Sequence, residues 1–212
     1  MALGLLRGAG PRQGESMTIA DEGQLVRSSR KGDLDAFNTL VQAYQRQVYN
    51  LCLRMLDPAL AEDAAQETFI TAYRRLSSFR GGSFRAWLLR IAANICCDEL
   101  RRHRSRPAAS LDAALEAGSP ADVPSHLAGP EEEALRRELA RHLQQGLATV
   151  PAEQRLAIIL RDIHGLSYEE LAEALGCSLG TVKSRIARGR ARMREYLVAR
   201  RELLPRRFRL KE

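Results

Sequence analysis

Residues 166–186 read LSYEELAEALGCSLGTVKSRI, and this stretch has the spacing of two short helices joined by a tight turn. Ser167 and Glu170 match the S-x-x-E capping box that opens a helix. Gly176 provides the residue type that most easily adopts the left-handed conformation needed between the two helices. Val182 and Ile186 then return the second helix to a shared core. Together these features predict a helix-turn-helix motif.

Charge is distributed unequally between the two helices of this motif. The first helix carries glutamates, whereas residues 179–212 contain twelve Lys or Arg and three Glu, a net charge of +9. A basic run alone is usually a solvated face, but a basic second helix in a helix-turn-helix fits the major groove of duplex DNA and the flanking phosphates. The whole chain of 212 residues has a formal charge of +7, which favours a polyanionic partner.

Apolar residues at helical spacing indicate helices along the rest of the chain. Asp33 is the expected N-cap of a helix that continues to Met55, and Asp57-Pro58 starts the next helix. Further helices are expected at residues 84–104, 135–147, 150–163, 167–175 and 179–200. No segment alternates convincingly with the two-residue period of a strand. The chain is therefore predicted to be all-α, with two small helical bundles.

An acidic, proline-rich segment at residues 107–133 separates the two predicted bundles. It contains six Asp or Glu, four Pro and no Lys or Arg, which is typical of a flexible linker. The expected order is a disordered N-terminal leader, a first domain, this linker, a helix-turn-helix domain and a basic tail, at residues 1–21, 22–106, 107–133, 134–202 and 203–212. Two interpretations of the leader remain open, a floppy tail or a misassigned start with Met17 as the initiator.

Composition excludes several other classes of protein. The apolar runs are too short to cross a bilayer and no secretory signal is complete, so the protein is expected in the cytoplasm. The four cysteines and four histidines lack zinc-ligand spacing, and no catalytic residue, metal site or cofactor is expected. Cys52 is expected in the core. Cys177 lies in the predicted turn, where a redox-sensing thiol is the alternative to a structural one.

The first domain is basic as well. Residues 80–106 hold seven Arg against two acids, with Phe79, Phe84 and Trp87 among or beside them. Aromatic rings beside cations can stack on unpaired bases, which suggests contact with melted DNA. The alternative is that the rings belong to the core of the bundle. That is the preferred interpretation for Trp87, whereas for Phe84 both remain open.

Three segments of the chain resemble the extracytoplasmic-function (ECF) sigma factors of bacterial RNA polymerase. They are DAAQETFITAYR at residues 63–74, FRGGSFRAWLLRIAAN at residues 79–94 and GTVKSRIAR at residues 180–188. The resemblance extends over about residues 22–200, in the family's order and with a linker between the domains. It implies a protein that binds core RNA polymerase, directs it to promoters through their −10 and −35 elements, and promotes DNA melting for transcription initiation.

The resemblance implies two sites in the first domain. The segment that starts at Asp63 docks on the clamp of the largest polymerase subunit, and an acidic and apolar helix face suits a basic protein partner. The loop after Phe79 captures a flipped base of the −10 element, and Asn94 lies on the helix that reads this element, a buried cap being the alternative for its amide. The residues expected to bind core polymerase are Asp63, Gln66, Glu67 and Phe69. Those expected to bind the −10 element are Arg80, Ser83, Phe84, Arg90, Asn94 and Arg101.

In the second domain the resemblance implies recognition of the −35 element as duplex DNA. The expected contacts are Thr181, Lys183, Ser184, Arg185, Ala187 and Arg188, of which Ala187 is small where relatives often carry a bulkier residue. The acidic linker resembles the family's connector through the polymerase cleft, an ordinary tether being the alternative. The implied partners are the polymerase core, promoter DNA and an anti-sigma factor.

A dimeric helix-turn-helix regulator is the main alternative function. It would use residues 22–105 to dimerise or to bind a ligand, and it would bind a palindromic duplex operator tightly without polymerase. The acidic helix at residues 63–69 and the base-capturing loop have no purpose in such a protein, which favours the sigma factor.

Overall fold

The computed structural model describes residues 19–105 and 130–200, and these ranges fold into helices joined by short turns, with no strand among them. The prediction of an all-α chain is confirmed for this part of the protein. The elements are α1 (Ile19–Arg30), α2 (Leu34–Met55), α3 (Pro58–Arg74), a 3-10 turn (Leu76–Ser78), α4 (Phe84–Ser105), α5 (Pro130–Thr149), α6 (Ala152–Ile158), a π-helical turn (Ile159–Ile163), α7 (Tyr168–Leu175) and α8 (Leu179–Ala199).

Local signals in the sequence start the first two predicted helices where expected. The carboxylate of Asp33 accepts a hydrogen bond of 3.0 Å from the Ala36 amide at the start of α2. At the start of α3, the Asp57 carboxylate accepts one of 3.0 Å from the Leu60 amide, and Pro58 occupies the first turn. Each cap satisfies one of the amides that a helix N-terminus leaves without an intrahelical partner.

Two predicted boundaries are wrong. Helix α1 begins at Ile19, inside the expected leader. Its sequence has too few apolar residues for the helix to be predicted from their spacing. Packing holds it in place instead, since Val26 is buried and the Tyr44 hydroxyl donates a hydrogen bond to the Glu22 carboxylate. Helix α5 begins at Pro130, inside the expected linker, where a proline fits the first helical position. The remainder of the leader and linker and the basic tail lie outside the described residues.

The two bundles pack against each other around a continuous core. We call α1–α4 the N-terminal unit and α5–α8, with the π-helical turn, the C-terminal unit. One cluster of buried apolar side chains includes members of both units. The last turn of α2 is capped across this boundary, because Gln144 Nε2 donates 2.9 Å to the carbonyl of Leu53 and Arg155 donates 3.3 Å to that of Met55. Carbonyls that the end of α2 leaves free are thus satisfied by the other unit.

Candidate nucleic-acid interface

The helix-turn-helix is formed by α7 and α8, as predicted. Both bonds of the capping box are present, the Glu170 amide to Ser167 Oγ at 3.1 Å and the Ser167 amide to Glu170 Oε2 at 2.8 Å. Gly176 ends α7 with φ of 59°, in the left-handed region that favours glycine. Val182 and Ile186 are buried and join the core, which fixes the face that α8 turns outward.

The outward face of α8 offers part of the predicted −35 surface to solvent. Lys183, Ala187 and Arg188 are exposed. Thr181 and Ser184 are half-buried, and the Thr181 amide and hydroxyl are engaged with Ser178 in the N-cap of the helix. Lys183 and Arg188 are therefore the two cations of this set best placed to reach a phosphate or a base edge.

Arg185 is held within its own unit. Its guanidinium pairs with the Glu153 carboxylate and donates a 3.6 Å hydrogen bond to the sulfur of Cys177. A side chain with two such partners braces α8 against α6 and against the turn. Contact of Arg185 with DNA would require it to leave Glu153.

An aromatic ring connects α8 to the segment before the motif. The Arg161 guanidinium lies 4.7 Å from the centre of the Tyr168 ring, and Lys183 Nζ lies 5.9 Å from it. Arg161 also donates a hydrogen bond of 2.6 Å to the Leu166 carbonyl. The ring attracts the two cations, and so it restrains Lys183 at the start of the outward face. No sequence pattern indicated this role for Tyr168.

Of the three predicted −10 residues in and next to the loop before α4, two are exposed and one is not. Gly81 and Gly82 have φ of 101° and 86°, a conformation that side chains disfavour. Arg80 and Ser83 are exposed, and Ser83 Oγ accepts a hydrogen bond of 3.1 Å from the Ala86 amide, which starts α4.

Phe84 is the exception, because its side chain is buried and would contact DNA only after a rearrangement. Its side chain is 1% exposed, in a cluster with Phe79, Trp87 and Tyr44 at ring-centre distances of 5.5 to 5.8 Å. A ring so enclosed supports the loop from beneath. Trp87 belongs to the same cluster of rings but is only half-buried.

Farther along α4 the remaining −10 candidates differ in their surroundings. Asn94 is exposed, which contradicts the alternative of a buried cap. Arg101 is exposed and pairs with Asp98 one turn earlier at 3.1 Å. Arg90 is half-buried and forms an ion pair of 2.9 Å with Glu173 of α7.

The predicted polymerase-binding segment lines an acidic groove on α3. Asp63, Gln66 and Glu67 are exposed and Phe69 is half-buried against the core. The groove has a volume of about 330 Å³, and its other lining residues are Leu60, Ala64, Ile70, Ile95 and Glu99. Ile95 and Glu99 belong to α4, so sequence reasoning on α3 alone missed them. An apolar floor with a carboxylate rim suits a basic, partly apolar protein helix.

A second cleft lies where the loop of the N-terminal unit faces α7. It has a volume of about 430 Å³. One wall consists of Arg80, Gly81, Gly82, Ser83, Trp87 and Arg90, together with Ser78, Phe79 and Ala86. The opposite wall consists of Glu170, Glu173 and Ala174. The loop of the N-terminal unit and the helix-turn-helix therefore meet in the folded chain.

The cysteines are reduced and mostly enclosed. Cys52 is buried, as expected, and Cys96 is buried beside it. A hydrogen bond with Cys52 and then burial raise the pKa of Cys96. Cys97 and Cys177 are half-buried. Across residues 19–105 and 130–200, no cluster of potential metal ligands occurs, and no helix has the length and apolarity that crossing a membrane requires.

Comparisons with known families match both units. The family model described as Sigma-70 region 2 matches residues 40–106, and the one described as Sigma-70, region 4 matches residues 140–193. The ECF RNA polymerase sigma-E factor of Escherichia coli K12 is 41% identical over 169 residues, which are 78% of this chain and 88% of that protein. The sigma-E factor of Haemophilus influenzae is 42% identical over 170 residues, with coverage of 78% and 89%.

Two solved structures share the fold. The sigma factor RpoE from Bartonella quintana, in complex with the anti-sigma factor NepR, matches with a TM-score of 0.59 and 28% identity, over 76% of this chain and 96% of that chain. CnrH, in complex with the cytosolic domain of CnrY, matches with a TM-score of 0.62 and 25% identity, over 84% of this chain and 98% of that chain. Both likenesses extend over the two helical units.

Proposed function

We propose that this chain, which belongs to the ECF RNA polymerase sigma factors, brings the core polymerase to promoters by binding the −10 and −35 elements and stabilises the melted −10 strand. It acts by binding alone, as an initiation factor in the cytoplasm and not as an enzyme. The observation that carries this proposal is the presence of two surfaces of opposite charge on the N-terminal unit, the acidic groove of α3 and the basic loop before α4.

The acidic groove is the proposed docking site for core polymerase. Exposed Asp63 and Glu67 attract a basic partner, and Ile70 and Ile95 provide apolar area in the same groove. Exposed charges of this kind mainly direct encounter and fix the orientation of a complex, whereas the apolar floor contributes most of the burial. Gln66 and Phe69 complete the surface.

The loop and helix α4 are the proposed −10 reader. Arg80 and Ser83 lie exposed beside a backbone that two glycines keep open, and Asn94 presents an amide donor and acceptor from the helix surface. Trp87 offers a ring face on which an unpaired base can stack. The free energy of binding these bases in the unpaired state favours separation of the two DNA strands. Arg90 and Arg101 add electrostatic attraction for the phosphates.

The outward face of α8 is the proposed −35 reader. Lys183 and Arg188 reach phosphates or bases. Ala187 has only a methyl side chain, so it can contact at most the methyl group of a thymine and contributes little discrimination between bases. Thr181 and Ser184 support the same surface from its edge. An anti-sigma factor is a further proposed partner, because the related RpoE is held by one.

The experiment that tests this function is permanganate footprinting of unpaired thymines on promoter DNA, with core polymerase and this protein together. Reactive thymines near −10 are expected only when both are present. Asn94→Ala and Arg80→Ala should reduce their reactivity without reducing binding to the core. Tight binding to a palindromic duplex without polymerase would instead support a dimeric regulator.

A further inference from the structure

The cleft between the loop before α4 and helix α7 has the size and the lining of a small-molecule site. Its volume of about 430 Å³ falls within the range of about 300–1,000 Å³ that ligand pockets occupy. Its two walls carry opposite charge. The loop and α4 supply Arg80 and Arg90, and α7 supplies Glu170 and Glu173. Such a lining suits a ligand that carries an anionic group at one end and hydrogen-bond donors at the other.

Arg80 is the cation of the cleft that is available to a ligand. Its side chain is exposed, and among residues 19–105 and 130–200 no hydrogen bond or ion pair engages its guanidinium. A Cβ atom at Gly81 or Gly82 would meet nothing within 4 Å, so the space beside Arg80 is open. A guanidinium presents a planar fork of N–H donors that matches the oxygens of a phosphate. This end of the cleft therefore suits a phosphate group.

The opposite wall presents carboxylate oxygens that can accept hydrogen bonds. The Glu173 side chain is 77% exposed, and its Oε1 pairs with Arg90 at 2.9 Å. Glu170 uses its Oε2 to accept the Ser167 amide in the capping box. Within the part of the chain that the structure describes, the second oxygen of each carboxylate has no donor. Because an ionised carboxylate only accepts hydrogen bonds, this end of the cleft suits N–H groups.

Aromatic and small side chains lie between the two charged ends. Phe79 and Trp87 line the cleft, with their ring centres 5.4 Å apart, and Ala86 and Ala174 add apolar surface. Trp87 is half-buried in its cluster of rings. Aromatic rings attract one another in offset and edge-to-face arrangements, so the middle of the cleft suits a flat heterocycle.

A purine nucleotide carries these three groups in the order in which the cleft presents their partners. Its phosphates lie at one end, its flat base follows, and the base edge carries N–H donors. Guanine has neighbouring N1–H and N2–H donors, which one carboxylate can accept together. Adenine has an N6–H donor beside the lone pair of N1, which a carboxylate repels. The carboxylates of α7 therefore favour guanine over adenine.

We propose that this cleft binds a guanine nucleotide, with the phosphates on Arg80, the base against Trp87 and the N1–H and N2–H edge on Glu173. This binding site is additional to promoter recognition and needs no polymerase. It shares Arg80 and Trp87 with the proposed −10 reader, so a bound nucleotide and a promoter strand exclude each other. That exclusion rests on the proposed function, whereas nucleotide binding does not.

Isothermal titration calorimetry of the full chain with GDP, ADP and guanosine tests the site. The wild type should bind GDP about tenfold more tightly than ADP, because the carboxylate accepts two N–H groups of guanine and only one of adenine. Guanosine lacks the phosphates and should bind about tenfold more weakly than GDP. Trp87 is the only tryptophan of the chain and lines the cleft, so its emission should change on addition of GDP.

Paired variants assign each end of the nucleotide. Glu173→Gln should lose the preference for GDP over ADP, whereas Glu169→Gln, the same change at an exposed position of α7 outside the cleft, should retain it. Arg80→Ala should bind GDP and guanosine equally. Arg75→Ala removes an exposed arginine outside the cleft and should still prefer GDP.

Three results would overturn the site. They are no binding of GDP to the wild type at millimolar concentration, equal affinity for GDP and ADP, and equal losses in Glu173→Gln and Glu169→Gln. The single-stranded trinucleotide TGT is a further probe, because a guanine in a strand presents the same edge. Binding of TGT through Glu173 without binding of GDP would make the ligand a nucleic acid strand and would also overturn the proposal.

The exclusion of promoter DNA is measured separately, by permanganate footprinting with core polymerase. GDP should lower the reactivity of thymines near −10 with the wild type, and less so with Glu173→Gln. If the chain lacks the proposed function, no thymine becomes reactive with either protein, and the GDP affinities are unaffected. If the function holds and the nucleotide site does not exist, thymines react and GDP has the same effect on both proteins.

Discussion

Gly189, in the middle of α8, lies against the backbone of Gln154 in α6. A Cβ atom at Gly189 would stand 3.0 Å from the Gln154 carbonyl oxygen and 2.9 Å from Ile158 Cγ2. The absence of a side chain thus allows α8 to approach α6 closely. Glycine weakens a helix interior, and here the close packing of α8 offsets that cost.

The first prediction follows from the close contact between α8 and α6. Gly189→Ala should lower the free energy of unfolding by about 1–3 kcal/mol, because the new methyl group meets backbone that cannot move aside easily. Gly180→Ala is the matched control in the same helix, since its Cβ would meet only Ser178 Oγ at an ordinary 3.8 Å. Urea denaturation measures both. A Gly189→Ala protein as stable as the control would show that α8 can move away from α6 without lowering the free energy of unfolding.

The second prediction concerns the acidic groove. Glu67→Lys should weaken binding to core RNA polymerase about tenfold, because it reverses a charge at the rim of the proposed docking surface. Glu62→Lys makes the same change at another exposed position of α3, outside the groove, and should bind nearly as the wild type does. Competition with a labelled wild-type protein for core polymerase measures the affinities. Equal losses in both variants would indicate a general effect of charge and remove Glu67 from the interface.

The third prediction concerns His164. Burial, and then the charges of Arg85 and Arg54, lower the pKa of its imidazole from 6.5 to about 4. The folded state therefore favours the neutral form, and the unfolded chain takes up the proton first as the pH falls. The contribution of His164 to stability should be complete above pH 6.5 and decline between pH 6.5 and about 4, by at most about 3.5 kcal/mol at about 1.4 kcal/mol per pKa unit.

His164→Gln removes this titration. The stability of the wild type should fall more steeply than that of the variant as the pH is lowered from 7 to 4.5, as followed by urea denaturation at each pH. Carboxylates titrate in the same range in both proteins, so the difference between the two curves isolates the histidine. Parallel curves would mean that His164 is hydrated in the folded protein.

The fourth prediction concerns the outward face of α8. Arg188→Ala should weaken binding of the polymerase complex to −35 duplex DNA and reduce the slope of log affinity against log salt by about one, if Arg188 neutralises one phosphate. Arg141→Ala, an exposed arginine on α5, is the control and should leave the slope unchanged. An unchanged slope with lost sequence preference would assign Arg188 to a base instead.

Signals within a few residues of one another made the helix-turn-helix and the helix starts predictable. Asp33, Asp57 and Ser167 form their caps with residues three positions away, and Gly176 adopts its conformation from its own lack of a side chain. Helix α1 lacks such signals, and the bond from Tyr44 to Glu22 that ties it down joins residues from different helices.

The parts of the site that were missed depend on contacts between distant residues. Phe84 is buried among aromatic rings that come together only in the folded bundle. The pairing of Arg90 with Glu173 joins residues that are 83 positions apart. Residue type predicted that each could bind DNA, but only packing shows which side chain is buried and which is already paired.

Run-off transcription with purified bacterial core polymerase is the direct test of whether this protein acts as a sigma factor. The template is a library of genomic fragments, and the RNA starts are sequenced with and without this protein. We predict new transcripts whose upstream DNA shares sequence elements near −35 and −10. No new transcripts, together with a gel shift of duplex DNA that needs no polymerase, would contradict a sigma-factor function.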